Sequence, residues 1–207
     1  MLTSRFAMAI ALAVGVASES LAQNPPGGAP PPQPARGGGR GRAVRVMSLT
    51  STGFTDGSAL PIKYSQAGEE LSPPFAWTGV PDSTRSFVLF VHDLDAAVGS
   101  GTDDVLHWMV WNIPGTTTSL PEGIPHGPQL PDGARQISVS GPYYRGPAAP
   151  ASGPVHHYAF ELYALDTMLD VAAAGTPPAV TRAAVLSAMA GHVRGKGVMV
   201  ALYRRAP

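Results

Sequence analysis

The 207-residue chain contains no cysteine, which excludes disulfide scaffolds, thiol nucleophiles and cysteine zinc sites. Charge is also scarce, because only 14% of the residues are charged and 14 Lys and Arg balance 14 Asp and Glu. This sequence therefore lacks the strongly basic character of a protein that binds nucleic acid through its phosphates. Nucleic acid is not an expected partner.

Glycine and proline are abundant instead, with 24 and 22 residues. Together they lie well above the average of roughly 12% in globular proteins. Such a composition favours a turn-rich, mainly β chain over a helical bundle. Apolar residues make up 44% of the sequence, which is enough for the core of one domain.

The first 22 residues have the features of a cleavable secretory signal peptide. Arg5 supplies the positive start, residues 6–17 form an apolar run, and residues 20–22 are Ser-Leu-Ala, which suits a cleavage site. The run is shorter than the roughly 20 residues that span a bilayer, so no membrane span is expected. We expect cleavage after Ala22 and a periplasmic or secreted protein.

Residues 23–43 are rich in proline and glycine and show no apolar periodicity. This composition is typical of a disordered leader, and its three arginines (Arg36, Arg40 and Arg42) are interpreted as charges of a solvated linker. The domain proper is expected over residues 44–207. It is mildly acidic, with ten Lys and Arg against thirteen Asp and Glu.

Within this domain, short stretches of β-branched and aromatic residues alternate with Pro, Gly and Asp-Gly turn signals. The stretch 86–93 is nearly continuously apolar, as expected of a central strand covered on both faces. Strands are predicted over residues 44–50, 61–64, 75–78, 86–93, 108–113, 136–139, 157–164 and 198–203.

One helix is predicted within residues 176–192. Thr176 is its expected N-cap, prolines occupy the first turn, and apolar residues recur at helical spacing. Gly191 is the expected stop signal.

Acidic and histidine side chains lie at the ends of the predicted strands. Asp93 and Asp95 end the most apolar strand, His107 precedes the next one, and His156 opens a later one. An i, i+2 spacing places both carboxylates on one side if the strand continues. Strand ends often open onto a rim where pockets form, so these four side chains are expected to converge.

Several chemistries use such a set. The four side chains offer oxygen and nitrogen ligands for a metal, but no close-spaced metal motif supports this. A hydrolase would need Ser140 or Ser152 as nucleophile, and neither lies in a GxSxG elbow. An anion pocket, in which imidazole N–H groups, a tyrosine hydroxyl and loop amides donate to oxyanions, is favoured. The remaining alternative is that these histidines only cap strands.

Three segments resemble the signatures of one family. FVHDLDAA, then LHWMVWNIP, then GPYYRGPAAPASGPVHHYAFELYAL occur in this order at compatible spacing. They are similar to the phosphatidylethanolamine-binding proteins (PEBP), also called Raf kinase inhibitor proteins, and especially to the bacterial YbhB/YbcL branch. The likeness covers nearly all of residues 44–207.

This resemblance implies a PEBP-like fold of two antiparallel sheets with peripheral helices, including one near the C-terminus. It also implies a small pocket for phosphate-bearing head groups, with no cofactor, no metal and no catalytic residue. The residues that it assigns to the pocket are Asp93, Asp95, His107, His156 and Tyr158, together with the loop backbone at Gly146, Ala148 and Pro150.

The sequence departs from the family pattern at three places. The DPDAP loop is Asp-Leu-Asp-Ala-Ala here, so the loop loses the fixed φ of two prolines. A Pro-Pro pair is replaced by Ala149-Pro150. His157 stands where the family has arginine, which removes a permanent positive charge. Tyr158 fits either ligand contact or packing.

The favoured function is an exported, non-enzymatic binding protein for phosphate-bearing, phospholipid head-group-like ligands. The alternative is a protein-interaction inhibitor of protease or kinase type; an exported chain would not meet a cytosolic kinase. A hydrolase that uses the Asp and His set ranks third. If charged imidazoles bind the anion, affinity falls as pH rises through roughly 6.5.

Overall fold

The computed structural model describes residues 43–99 and 101–207. The expected signal peptide (1–22) and the expected leader, except Ala43, lie outside the described residues.

Nine strands and one α-helix make up the regular structure of the described residues. In chain order they are β1 (Arg45–Val46), β2 (Ser48–Thr50), β3 (Phe75–Thr78), β4 (Ser86–Val98), β5 (Asp103–Pro114), β6 (Ser119–Leu120), β7 (Arg135–Ile137), β8 (His156–Leu165), α1 (Pro178–Met189) and β9 (Val193–Tyr203). A short 3-10 helix covers Ile62–Tyr64.

The strands form two sheets. The larger has the order β1-β9-β8-β4-β5-β7, and the smaller has the order β2-β3-β6. All pairings between these strands are antiparallel except that of β1 with β9, which is parallel. The expected mainly β fold, with two sheets and a helix near the C-terminus, is confirmed.

Strand β4 is the centre of the hydrophobic core, as its continuous apolar run predicts. Phe87 and Val91 belong to the cluster between the two sheets, where the ring of Trp77 lies 5.2 Å from that of Phe87. Val88, on the opposite face, packs in the cluster that contains Val185 of α1. Burial on both faces fixes the position of β4 between β8 and β5.

Several strand predictions are wrong in detail. Strands β4, β5 and β9 are longer than the predicted 86–93, 108–113 and 198–203, β7 ends at Ile137 instead of residue 139, and β6 was not predicted.

Residues 44–50 form two strands, β1 in the large sheet and β2 in the small sheet. Between them, the Met47 N–H still donates to the Lys196 carbonyl of the large sheet, and the chain then passes to the small sheet. The strand predicted over residues 61–64 is instead the 3-10 helix Ile62–Tyr64, with Pro61 as its N-cap. There the hydroxyl of Ser65 donates to the Ile62 carbonyl at 2.8 Å and closes the turn.

The helix is also shorter than the predicted segment. Its N-cap is Pro177, without a side-chain cap, so the prediction of Thr176 as N-cap is wrong. The Thr176 hydroxyl instead lies 2.7 Å from the hydroxyl of Thr181. Gly191, at φ 80°, follows the helix end as expected of a glycine stop signal.

An ion-pair network covers the face of the large sheet that carries α1. His92 of β4 bonds through Nδ1 to Asp104, and its Nε2 atom lies 3.4 Å from Oε2 of Glu161. Asp104 pairs with Arg182 of α1, and Glu161 with Lys196 of β9. Burial opposes protonation of His92, but the Glu161 and Asp104 carboxylates outweigh it and raise its pKa. His92 is the main cause that lowers the pKa of Glu161 to about 2.

We predict that His92 stabilises the protein more at acidic than at alkaline pH. Because its folded-state pKa is raised above 6.5, this stabilisation is fully present below 6.5 and is lost as pH rises through the folded value. His92→Gln should cost about 1.5 to 3 kcal/mol at pH 6 and clearly less at pH 9, measured by thermal unfolding. If the loss of unfolding free energy in His92→Gln did not change with pH, the positive charge of His92 in this network would be contradicted.

Candidate functional site

Adjacent segments of β4, β5 and β8 bring four predicted residues together. Of these, only His156 lies at a strand end, because β4 continues to Val98 and β5 begins at Asp103, so the prediction that Asp93 and His107 lie at strand ends is wrong. Asp93 of β4 lies directly opposite Tyr158 of β8 in the strand register. Both continue the face that is buried against the small sheet, where Tyr158 belongs to the core cluster. His107 of β5 and His156 of β8 complete the group. We call Asp93, His107, His156 and Tyr158 the site cluster.

A β-bulge directs His107 into the cluster. Val91 lies opposite Trp108, and His92 lies opposite Leu106, so His107 is an extra residue in β5. Bulges of this kind re-aim a side chain, and they are frequent next to functional sites. The His107 ring consequently lies 5.1 Å from the ring of Tyr158, edge on at 81°.

Asp93 is a buried carboxylate whose oxygens are all used. The residue is 4% exposed. Its Oδ1 atom accepts from the backbone N–H of Asp95 at 3.0 Å and of Ala96 at 3.2 Å. Its Oδ2 atom accepts from Nδ1 of His156 at 2.8 Å. The carboxylate therefore fixes the orientation of the His156 ring. The His156 side chain is 15% exposed and that of Asp93 is 5% exposed, so His156 is the more accessible of the two.

His107 is held by a second internal acceptor. Its Nδ1 atom donates to the Arg145 carbonyl at 2.8 Å, and its own carbonyl accepts from the N–H of Arg145 at 2.9 Å. Burial lowers the pKa of His107, against the opposing effects of the Arg145 carbonyl and the Asp93 charge. The ligand-free ring is therefore a neutral imidazole that carries its proton on Nδ1.

Both site imidazoles thus commit Nδ1 within the protein, to Asp93 and to the Arg145 carbonyl. The Gly146 backbone also acts on the His107 ring and favours its protonated form. A neutral ring with its proton on Nδ1 has an acceptor at Nε2, whereas an imidazolium has a donor there. These two rings can therefore donate to a ligand only in the charged form.

Tyr158 supports the cluster from inside. It is fully buried, and its hydroxyl oxygen accepts from the N–H groups of Ala148 at 3.3 Å and Ala149 at 3.2 Å. Burial and then the charge of Asp93 raise the pKa of Tyr158, so the hydroxyl stays protonated. The His156 ring stacks beside it at 6.4 Å. This arrangement favours a packing role for Tyr158 over direct ligand contact.

The loop at residues 144–149, which we call the site loop, borders the cluster, but its amides are already in use. The Gly146 N–H donates to Oε1 of Glu70 at 3.2 Å, and the Ala148 N–H donates to Tyr158. Pro150, just after the loop, has no N–H and is exposed. Gly146 and Ala148, two of the positions whose backbone is expected to line the pocket, therefore have their N–H groups bonded within the protein.

Asp95 does not point into the cluster. Its side chain is 35% exposed, and Oδ2 accepts from the backbone N–H and, at 2.9 Å, from Nδ1 of His157. The backbone N–H of His157 is the main cause that lowers the pKa of Asp95. The two carboxylates do not share one side, as their i, i+2 spacing predicts, because the pairing of β4 with β5 is irregular after Asp93. Asp95 and His157 form an outer pair beside the inner pair of Asp93 and His156.

Sequence reasoning missed Gln66 and Glu70, which bind the site loop from a segment 76 to 80 residues earlier. Both lie in an irregular stretch with no motif, so no sequence signal pointed to them.

Two grooves in the described residues are lined by none of the four residues of the site cluster. One of about 640 Å³ separates the β4–β5 hairpin from α1, and one of about 440 Å³ is lined by Leu60, Val155 and Leu202.

Across residues 43–99 and 101–207, no group of three or more His, Asp or Glu side chains is arranged to hold a metal. In the same part of the chain, no helix has the length and apolarity needed to cross a membrane.

Comparison with known proteins relates the whole domain to one family. Residues 50–204 match the family model described as phosphatidylethanolamine-binding protein. A UPF0098 protein of Methanothermobacter thermautotrophicus is 42% identical over 161 residues, which cover 77% of this chain and 99% of the relative. The UPF0098 protein YbhB of Escherichia coli is 39% identical over 127 residues, covering 58% and 78%.

A solved structure shows the same relationship in three dimensions. The crystal structure of E. coli YbcL, described as a new member of the mammalian PEBP family, superposes with a TM-score of 0.65 at 26% identity. The superposition covers 77% of this chain and 98% of YbcL.

We predict that Gly146→Ala destabilises the protein, because a Cβ there would lie 2.6 Å from the backbone oxygen of Tyr64. The expected loss is about 1 to 3 kcal/mol in the free energy of unfolding, measured by urea denaturation. Gly153→Ala is the control, because its Cβ would meet only Pro150, at 3.4 Å. Equal stability of the two variants would show that the site loop can move away from residue 64.

Proposed function

The chain belongs to the phosphatidylethanolamine-binding protein family, and on this basis we propose that it is an exported protein that binds phosphate-bearing ligands without chemical turnover. The ligand class is that of a phospholipid head group, which the family description supports. His156 and His107 contact the phosphate through Nε2, and Asp93 and Tyr158 hold these rings in place.

The observation that carries this proposal is the hydrogen bond between the buried Asp93 carboxylate and Nδ1 of His156, at 2.8 Å. This bond commits Nδ1 of His156 to the protein and leaves Nε2 for a ligand. When the ring is protonated it presents an Nε2–H, and a charge-assisted hydrogen bond from it to an oxyanion is stronger than a neutral one.

The charges of the cluster match a phosphodiester. If both rings are protonated in the complex, two imidazolium ions and the Asp93 carboxylate leave one positive charge, which a monoanionic diester neutralises. His107 is neutral without ligand because burial lowers its pKa, so it gains its proton as the anion arrives. Binding and proton uptake are therefore coupled.

We predict that affinity for a phosphodiester falls as pH rises, by up to about tenfold per pH unit for each imidazole that is neutral before binding and charged in the complex. Glycerophosphoethanolamine is a suitable probe because its phosphate keeps one negative charge between pH 6 and 8. Ring-resolved 15N NMR should show saturable shifts at Nε2 of His107 and His156 at pH 6, weaker binding at pH 8, and recovery of the intact ligand. Parallel titrations with inorganic phosphate and with ethanolamine separate head-group recognition from phosphate binding alone.

The chain offers a matched control for His156→Ala. His192 bonds to Asp166 through Nδ1 at 2.8 Å, as His156 does to Asp93, but beyond the opposite end of β8. His156→Ala should abolish the shifts, whereas His192→Ala should leave them unchanged. Affinity that does not vary with pH, or that survives in His156→Ala, would count against the imidazolium contact.

Export is supported by Arg5, the apolar run and the Ser-Leu-Ala end of the first 22 residues. Expression in a Gram-negative host should give a periplasmic or secreted protein whose N-terminal sequence begins at Gln23. Ala22→Glu should block this cleavage, because the position before the cut requires a small residue. An uncleaved, cytosolic wild-type chain would refute export.

A further inference from the structure

The segment that follows the 3-10 helix is bonded closely to the site loop, and Gln66 provides most of these bonds. Its backbone N–H donates to the Pro147 carbonyl at 3.1 Å. Its Nε2 atom donates to the Gly146 carbonyl at 2.7 Å, and its Oε1 atom accepts from Nη2 of Arg145 at 3.1 Å. One residue thus contacts three consecutive loop residues.

Glu70 adds a bond from an unusual backbone conformation. Its φ is 57°, in the left-handed region that glycine adopts without strain and other residues rarely adopt. Its Oε1 atom accepts from the Gly146 N–H at 3.2 Å. Residues held in this region tend to occur at functional sites, where the surrounding contacts maintain them.

The opposite side of the site loop is bonded to the site cluster. Arg145 exchanges two hydrogen bonds with His107, one to the ring and one to the backbone. Ala148 and Ala149 donate to the hydroxyl of Tyr158. The loop therefore lies between the pair Gln66 and Glu70 on one side and the pair His107 and Tyr158 on the other.

We propose that Gln66 and Glu70 are positioning residues, which hold the site loop so that the Arg145 carbonyl fixes the proton of His107 on Nδ1 and leaves Nε2 for the ligand. Neither residue touches the ligand in this account. The effect on affinity rests on the proposed function, whereas the effect on the His107 ring does not.

Glu70→Gly separates positioning from simple stabilisation. Glycine relieves the left-handed strain but removes the bond to Gly146, so the folded state loses little while the loop loses an anchor. Gln66→Ala removes both side-chain bonds from the other anchor. Glu70→Gln keeps an Oε1 acceptor for the Gly146 N–H and is the conservative rescue. Glu69→Ala is the control, because the adjacent Glu69 is exposed.

The first experiment uses the full chain without ligand. The 15N signal of His107 Nδ1–H and the exchange rate of the Gly146 amide are measured in each variant, together with Tm. We expect Glu70→Gly and Gln66→Ala to broaden or shift the His107 signal, and Glu70→Gly to speed exchange at Gly146. The Tm of Glu70→Gly should remain within a few degrees of wild type, and Glu70→Gln and Glu69→Ala should behave like wild type. An unchanged His107 signal in both Glu70→Gly and Gln66→Ala would overturn the proposal.

The second experiment titrates the same variants with glycerophosphoethanolamine. Affinity should fall about 2- to 30-fold in Glu70→Gly and Gln66→Ala, the usual range for coupling through a residue that does not touch the ligand. Wild-type affinity in both variants would overturn the link from the loop to the ligand. If the wild-type chain itself does not bind this probe, the proposed function fails, and the ligand-free His107 signal still decides whether Gln66 and Glu70 position the ring.

Discussion

The chemistry of the site depends on where two imidazole rings place their Nδ1 protons. The Nδ1–H of His156 donates a hydrogen bond to the buried Asp93 carboxylate, and the Nδ1–H of His107 donates one to the Arg145 carbonyl. Both acceptors are fixed by the fold, one by β4 and one by the site loop. Each ring is therefore left with a single free nitrogen, Nε2, whose character as donor or acceptor is set by protonation alone.

The fold produces this arrangement through the packing of its central strand. β4 is buried on both faces, so its direction and register against β5 and β8 are strongly determined. The polar site begins where the apolar run ends, at Asp93, which lies opposite Tyr158. The bulge at His107 then adds the second imidazole from the neighbouring strand. A burial cost for Asp93 is offset because its carboxylate accepts three hydrogen bonds.

Much of this could be predicted from the sequence, because the strongest signals are local. The apolar run at 86–93 predicted the central strand, and the ordered family-like segments predicted that Asp93, His107, His156 and Tyr158 would meet. The division of residues 44–50 between two sheets could not be predicted, since it depends on partners distant in sequence. The direction of Asp95 depends on an irregular strand pairing.

The hydrogen-bond partners of the site-loop N–H groups could not be predicted from the sequence either. Whether the N–H of Gly146 or Ala148 is free depends on Glu70 and Tyr158, which reach the loop from other parts of the chain. Sequence indicated a loop near a pocket, and only the structure shows that its donors are already bonded.

The central claim is that the ligand is bound by imidazolium Nε2–H groups. Calorimetric titration with glycerophosphoethanolamine at pH 7.5, in buffers of different ionisation enthalpy, measures proton uptake directly. We expect a net uptake of at least about one proton per ligand bound, because burial lowers the pKa of His107 and leaves the ring neutral at this pH before binding. Binding with no proton uptake would contradict it and would require donors other than these two rings.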